Sequence, residues 1–498
     1  MDKRTVLAID QGTTGTTVLV IAMESGVPPK ILGRGYFEFQ QYFPQPGWVE
    51  HDLEEIWDST KRAVNAAIEA ADVQPTEIAT IGITNQRETS GVWTKAGKPL
   101  HRAIVWQDRR TTEACETLRQ AGHEALFREK TGLVLDPYFS GTKLAWLFEH
   151  VEEVKREAEA GNLCFGTIDT WLIYKLTGHQ TFVTDVTNAS RTLMFDIHKE
   201  IWDDELLDTL GHLPANILPA VRSSSEVYGR TEELGFLPNG IPVAGLAGDQ
   251  QAALFGQGCF REGMAKCTYG TGAFALINTG GNAVESNHRL LTTIAWKIGE
   301  QTTYALEGSC FVAGAVVQWL RDGLGFFESS SEIEELARSV PDAGGVSLVP
   351  ALTGLGAPHW RPDARGILCG LSRGTTRGHI ARAALEGIAF QVYDLLDAMR
   401  DDSGKPIASL RVDGGASAND LLMQFQADLM NVEIHRPTIL DTTALGAGYL
   451  AALGVGLFSD LREVEANWTL DRTYSPTGDA EKMKGRIQNW HHAVKRSW

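Results

Sequence analysis

Three glycine turns and two short charged motifs hold most of the side chains in this sequence that could do chemistry. The first turn reads Asp10-Gln11-Gly12-Thr13-Thr14-Gly15. Its backbone N–H groups and hydroxyls suit phosphate, and its carboxylate suits a hydrated Mg2+. Gly270-Thr271-Gly272 and Asp413-Gly414-Gly415 repeat the idea. One such turn is a weak signal; three in one chain are a much stronger one. The charged motifs are Arg87-Glu88 and Asp249-Gln250. An arginine donates to hydroxyl oxygens, a glutamate accepts from hydroxyl hydrogens, and Tyr138 can do either. Asp249 can accept the proton of an attacking hydroxyl while Gln250 fixes a neighbouring one. This is the inventory of a phosphoryl transfer to a polyol, a reaction governed by positioning and charge neutralisation. Each residue also has a plainer reading: Arg87–Glu88 as an exposed ion pair, Tyr138 as a core aromatic, Asp249 as a helix cap.

These residues need elements to hold them. Thr5 to Ile9 and Val18 to Ala22 are β-branched or apolar runs flanking the first turn, which predicts a hairpin. Met264 to Tyr269 and Ala273 to Asn278 predict a second hairpin around Gly270-Thr271-Gly272. The similarity of pattern suggests two homologous halves, whose turns could clasp a polyphosphate from both sides. Leu53 to Ala71 has helical spacing, and Ile78 to Thr84 reads as a buried strand. Ile241 to Leu246 predicts a strand that leads through Gly248-Asp249-Gln250 into a helix over Gln251 to Phe255. Leu410 to Val412 predicts another, running through Asp413-Gly414-Gly415 into a helix from near Ser417 and Asn419 to Met430. Strand, glycine turn and helix N-terminus in that order form a ready anion site. The boundary between halves is expected near Ala253 to Cys259, giving two α/β domains that face each other across a cleft.

Composition narrows the partners. The 498 residues carry 45 Lys plus Arg against 63 Asp plus Glu, a formal charge of −18. That balance argues against nucleic acid or anionic lipid as the main partner, while leaving a small phosphate ligand open. Neither a Walker-type P-loop nor a well-placed dinucleotide fingerprint is present, so a nucleotide would be held by another device. The six cysteines form no C-x-x-C pair, which fits a reducing compartment. The longest apolar run, Ala444 to Phe458, is too short to span a membrane and reads as a buried helix packed closely on its neighbours. A cytoplasmic protein without membrane insertion is expected.

Longer motifs carry a resemblance. They include Asp10-Gln11-Gly12-Thr13-Thr14, Asn85-Gln86-Arg87-Glu88-Thr89, Asp136-Pro137-Tyr138-Phe139-Ser140-Gly141-Thr142-Lys143, Thr187-Asn188-Ala189-Ser190-Arg191-Thr192 and Gly248-Asp249-Gln250-Gln251. With Tyr269-Gly270-Thr271-Gly272 and Arg411-Val412-Asp413-Gly414-Gly415, the chain resembles the FGGY carbohydrate kinases from residue 10 to about residue 450, and among them the glycerol-specific branch. The resemblance implies an α/β fold of two ribonuclease-H-like (actin-like ATPase) domains related by duplication, at 1–253 and 254–498, flanking a catalytic cleft. It implies ATP-dependent phosphorylation of glycerol to sn-glycerol 3-phosphate, with Asp249 as general base. Arg87, Glu88, Tyr138, Asp249 and Gln250 would bind glycerol, with Trp106 and Phe274 over its carbon side. Thr13, Thr14, Gly15, Thr271, Gly314, Gln318, Gly415 and Asn419 would bind ATP or ADP, and Asp10 would hold Mg2+ through water. A homodimer or homotetramer is also implied. Gly314 can alternatively serve close helix packing, and Asn419 a helix cap.

Departures from the family pattern keep alternatives open. Many glycerol-specific members carry an Arg where this chain has Thr17, so one charge-assisted phosphate contact is missing. The region Arg222 to Gly245 hosts regulation in the family. Here it lacks the Gly-rich loop ending in Arg that binds fructose 1,6-bisphosphate, and no His lies between Leu213 and Asn287 to take a phosphoryl group. An FGGY kinase for a four- or five-carbon polyol or ketose remains a second reading. A non-catalytic actin-like ATP-binding module is a third, against which the intact Asp249 argues.

Overall fold

The computed structural model describes residues 4–361, 363–477 and 480–498. The first of two open sheets contains β1 (Thr5–Gln11), β2 (Gly15–Glu24), β3 (Val27–Glu38), β4 (Ile78–Asn85), β5 (Ser225–Arg230) and β6 (Pro242–Gly248). Its strand order is β5-β6-β4-β1-β2-β3. β1 and β2 are the expected antiparallel hairpin, with Asp10 opposite Thr17. β4 lies parallel to β1 and to β6, and the register puts Gln11, Asn85 and Gly248 in one row. Three parallel strands thus end at one level, and the segments that follow them emerge at one rim, where ligands of open α/β sheets gather.

The second sheet contains β7 (Met264–Tyr269), β8 (Ala273–Gly280), β9 (Leu291–Ile298), β10 (Gln301–Cys310), β11 (Ser409–Asp413), β12 (Ile434–Pro437) and β13 (Leu470–Tyr474), in the order β9-β10-β8-β7-β11-β12-β13. β7 and β8 form the second expected hairpin, and β11 lies parallel to β7. The central plan matches that of the first sheet: β3-β2-β1-β4-β6 there, β10-β8-β7-β11-β12 here, with the same strand senses.

Helices cover both faces of the first sheet, which explains why Val6 to Ile9 are all fully buried rather than alternating. On one side lies α1 (Leu53–Ala71), which starts where the Asp52 side chain accepts from the N–H groups of Glu54 and Glu55. The other side is covered from a distance in sequence. The Ala- and Gly-rich run forms α3 (Thr442–Gly454), ending four residues earlier than its apolar character suggests. It packs on β1, β4 and β6 and on α2 (Asp249–Gly256), although it follows the second sheet in the chain. Its residues share one core with Val6, Leu19 and Met23 of the first sheet and with Leu276 and Trp296 of the second. The two halves therefore meet through a common apolar junction.

That junction depends on glycine. A Cβ on Gly82 of β4 would stand 2.1 Å from the carbonyl oxygen of Ala447, and one on Gly446 would stand 1.9 Å from that of Ala252. Backbone meets backbone, and no side chain can give way. All six cysteines are free thiols, and among the described residues no helix is long and apolar enough to cross a membrane.

Gly446→Ala is expected to destabilise the protein by at least about 1–3 kcal/mol, the usual cost of overpacking. A lowered urea-unfolding midpoint checks this; an unchanged midpoint would mean that α2 and α3 part freely.

Candidate active site

The segment leaving β4 carries Gln86, Arg87 and Glu88. Glu88 sits at φ +62°, in the left-handed region that a non-glycine residue occupies only under constraint. Its carbonyl oxygen accepts from Ser90 Oγ at 3.0 Å, Ser140 Oγ at 3.0 Å and Lys143 Nζ at 3.2 Å. The carboxylate accepts from Arg191 Nε at 2.7 Å. Arg87 spans further. Its Nη1 and Nη2 donate to the two oxygens of Glu307 on β10, at 2.5 and 2.8 Å, and its Nε lies 3.0 Å from Asp249 Oδ1. Arg191 Nη2 closes the circuit on Glu307 Oε1 at 3.1 Å. Arg87 and Glu88 are therefore no surface pair: they are buried, stand 3.9 Å apart, and each has a better partner.

Five charged groups thus form one network, four from the first half of the chain and Glu307 from the second sheet. Side-chain exposure is 2% or less for Arg87, Glu88, Arg191 and Glu307, and 33% for Asp249. Asp249 is the member that opens to the cleft. It is the first residue of α2, with Gly248 at the cap position and no side-chain cap bond, so the helix-cap reading does not hold. Its Oδ1 accepts from the Gln250 N–H at 2.7 Å. Burial alone would raise the Glu307 carboxyl, yet Arg191 and Arg87 outweigh burial and pull it down to about 2. Glu88 goes the other way: burial raises it despite the same two arginines.

The remaining polyol candidates stand around this network. Tyr138 and Trp106 meet edge to face at 5.6 Å, and Arg191 lies 5.8 Å from the Tyr138 ring centre. Burial, reinforced by Glu88, pushes the Tyr138 phenol well above its ordinary range, so it stays a neutral hydroxyl. Trp106 Nε1 donates to Thr13 Oγ1 at 2.9 Å, which bonds the apolar wall directly to the first glycine turn. Gln250 Oε1 accepts from Lys266 Nζ at 2.5 Å. Because an ammonium only donates, this contact fixes the amide with its NH2 pointing away from Lys266. Phe274 stands half-buried on β8, paired with Ser309 of β10 and so on the sheet that carries Glu307.

The nucleotide candidates form a second group. The first turn closes with Gly12 N–H donating to the Gly15 carbonyl at 3.0 Å, leaving Thr14 exposed. Gln86 Nε2 donates to Gln11 Oε1 at 3.0 Å and to the Gly12 carbonyl at 3.2 Å, tying this turn to the polyol segment. Burial pushes His51 down to about 3, so its neutral ring donates from Nε2 to Gln41 Oε1, and Gln41 donates to the Thr13 carbonyl. Across the cleft, Thr271 is exposed and its carbonyl accepts from Ala313 and Ala315. Gly314 N–H donates to the Gly270 carbonyl, and a Cβ on Gly314 would lie 2.7 Å from that oxygen. The packing reading of Gly314 is thus satisfied, and the same contact seats the helix Gly314–Asp322, with Gln318 exposed on it, against the turn. The third turn rests on the end of β7: Gly414 has φ +82°, and its Cβ would meet the Tyr269 carbonyl at 2.6 Å. Gly415 faces open space. Asn419 Oδ1 accepts from Leu422 N–H at 2.9 Å, a helix cap that leaves its NH2 for a ligand. The Asp413 carboxylate is occupied, accepting from Gln257 Nε2 and Thr442 Oγ1 at 2.7 Å each.

Asp10 is the second-last residue of β1, opposite Thr17 in the hairpin. Burial, then Asp249 and Asp441, push its carboxyl up to about 7. Such an excess of negative potential is relieved by a hard cation, so the donor set fits Mg2+. Among the described residues no cluster of three His, Cys, Asp or Glu could hold a metal ion.

Sequence reasoning did not assign Glu307, Lys266 or His51, and gave Arg191 no role. Their common signal is a charged or polar side chain inside a buried element, as in Tyr304-Ala305-Leu306-Glu307-Gly308. Such a group must have a partner.

Residues 5–256 match the N-terminal domain of the FGGY family of carbohydrate kinases, and residues 265–455 match its C-terminal domain. Relatives of similar length include the glycerol kinase of Alkalilimnicola ehrlichii, 57% identical over 99% of this chain and 98% of its own. That of Myxococcus xanthus is 54% identical over 99% of each. The crystal structure of Plasmodium falciparum glycerol kinase with ADP superposes with a TM-score of 0.92 at 37% identity, covering 99% of this chain and 98% of that one. Xylulose kinase of Lactobacillus acidophilus shares the fold, with a TM-score of 0.86 at 23% identity over 99% and 97% of the two chains.

Glu307→Gln leaves two buried guanidinium groups short of one charge, an expected loss of about 3–5 kcal/mol at pH 7. The Glu307 carboxyl is depressed below its ordinary value on folding, so its contribution is full above about pH 4.5 and disappears as pH falls toward 2. Urea midpoints of the two proteins should therefore converge below pH 4. A constant difference across that window would refute the assignment.

Proposed function

The chain belongs to the FGGY family of carbohydrate kinases, and from that premise we propose that it transfers the γ-phosphoryl group of ATP to glycerol, giving sn-glycerol 3-phosphate and ADP. The observation that carries this reading is Asp249: a part-exposed carboxylate oriented by Arg87, directly after Gly248 in the row it shares with Gln11 and Asn85. Full-length relatives named glycerol kinase at 52–57% identity support the choice of acceptor.

On this reading glycerol places its hydroxyls against Arg87, Glu88, Tyr138, Asp249 and Gln250, and its carbon side against Trp106 and Phe274. Asp249 takes the proton of the attacking hydroxyl as the new O–P bond forms, and the bond between the γ-phosphorus and the bridging oxygen breaks to release ADP. Thr13, Thr14 and Gly15 face the phosphates from one side and Thr271 from the other, while Gly314, Gln318, Gly415 and Asn419 line the nucleotide. Mg2+, held through water at Asp10, supplies neutralisation of phosphate charge. A missing acceptor hydroxyl would leave buried polar groups unpaired, which is the source of selectivity. The matching strand orders support a duplicated ribonuclease-H-like unit in the two halves, 1–253 and 254–498, and six free thiols suit a reducing cytoplasm.

A coupled assay for ADP release, run with glycerol and with a panel of four- and five-carbon polyols and ketoses, tests the acceptor. Glycerol should dominate, and preference for a longer acceptor would overturn the choice. Asp249→Asn is expected to retain fold and ATP binding while slowing transfer about 10²–10⁴-fold. Near-parental turnover in the folded variant would remove Asp249 from the role of base. Because the phosphate-facing turns lie on different sheets, an ATP analogue together with glycerol should compact the protein more than either alone. Small-angle scattering across the four ligand states reads this, and an invariant radius of gyration would speak for a preformed cleft.

A further inference from the structure

The segment Ser140–His150 is helical, and its Lys143 side chain is fully buried. A buried ammonium normally sits against a carboxylate. Lys143 instead donates to two backbone carbonyls, that of Tyr138 at 2.6 Å and that of Glu88 at 3.2 Å. These carbonyls belong to residues fifty apart in sequence, both of which contact the polyol on the reading above. The Glu88 carbonyl is the one that also takes the Ser90 and Ser140 hydroxyls, on a residue held at φ +62°. A backbone strained in this way keeps its geometry only while its surroundings over-determine it. Burial pushes the amine down to about 7, outweighing Glu88 and Asp108. A methionine of similar length would fill the space without that desolvation, so packing alone does not account for a lysine here.

We propose that Lys143 is a positioning residue of the polyol pocket: by clamping the Glu88 and Tyr138 carbonyls to one nitrogen, it fixes the spacing between the Glu88 carboxylate and the Tyr138 hydroxyl that read the acceptor. The inference rests on the acceptor site proposed above. It touches neither ATP nor the transferring phosphoryl group, so its influence should fall on the polyol alone.

The test compares the parent enzyme with Lys143→Met and Lys143→Arg, with thermal melts and circular dichroism confirming the fold. Misplacement of pocket groups by ~1 Å can cost ~10²-fold; Lys143→Met is expected to raise the KM for glycerol at least about tenfold, with the KM for ATP within about twofold of the parent. Discrimination between glycerol and propane-1,2-diol should shrink in parallel. Lys143→Arg, which keeps cationic N–H donors, should recover part of the loss. Should Lys143→Met not fold, Lys143→Gln replaces it under the same expectations. A lowered melting temperature with both KM values unchanged, or an equal rise in both, would show Lys143 to be structural only. If the parent itself shows no glycerol-dependent ADP release, the acceptor reading fails and takes this inference with it; an active parent beside an unaffected variant sinks the inference alone.

Discussion

The bidentate pairing of Arg87 with Glu307 is the contact on which the cleft depends. It joins the segment after β4 to the middle of β10, and so links one sheet to the other through charges that water does not reach. Buried ions are costly unless every one is matched. Here the matching extends outward: Glu307 also takes Arg191, Arg191 takes Glu88, and Arg87 turns its remaining Nε to Asp249. None of these residues can be moved independently. The orientation of Asp249, the most exposed carboxylate of the set, is thus tied to a contact that joins the segment after one sheet to a strand of the other.

Strand register supplies the frame for that contact. Gln11, Asn85 and Gly248 fall in one row, so the segments that follow β1, β4 and β6 leave the sheet together. The Gln86 amide then ties the Gln11-Gly12 turn to the segment that carries Arg87 and Glu88. Behind the rim, α3 returns from the far end of the chain to seal the sheet, pressed so close at Gly82 and Gly446 that no side chain separates the backbones. A junction of this kind joins the two sheets by apolar burial as the Arg87–Glu307 pair joins them by charge.

What the sequence revealed follows from how local the signal is. Both hairpins, the helix Leu53–Ala71 and the strand-turn order before Asp249 are written in adjacent residues and lie where expected. The Asp413 turn was equally visible, but its helix begins only after a 3-10 turn over Gly415–Ala418, and its carboxylate is spent on Gln257 and Thr442. Glu307 could not be assigned, because its partner lies 220 residues away and a single Glu in an apolar strand announces only that a partner exists. Gly314 and Asn419 show a different limit. Each fulfils its plain structural role, close packing for one and capping for the other, whatever further role the resemblance implies. Local pattern identifies such residues but cannot apportion them.

The charge of the site poses the last question. A chain of net charge −18 gathers Asp10, Asp249 and Asp441 near the place where a polyphosphate would lie, and burial with mutual repulsion already lifts Asp10 to about 7. Arg34 is the cation that counters this at Asp10, and it is half-exposed and shared with Asp441. Thr17, paired with Asp10 across the hairpin, brings no positive charge to it. Cationic side chains are therefore sparse around Asp10. On the proposed function, two other sources would hold the phosphates: backbone N–H groups of the three glycine turns, which bind anions without net charge, and a divalent cation near Asp10, which would neutralise part of the negative charge there. On the same reading, that negative potential would disfavour free ATP and favour ATP that arrives with its charge already part-neutralised by a metal.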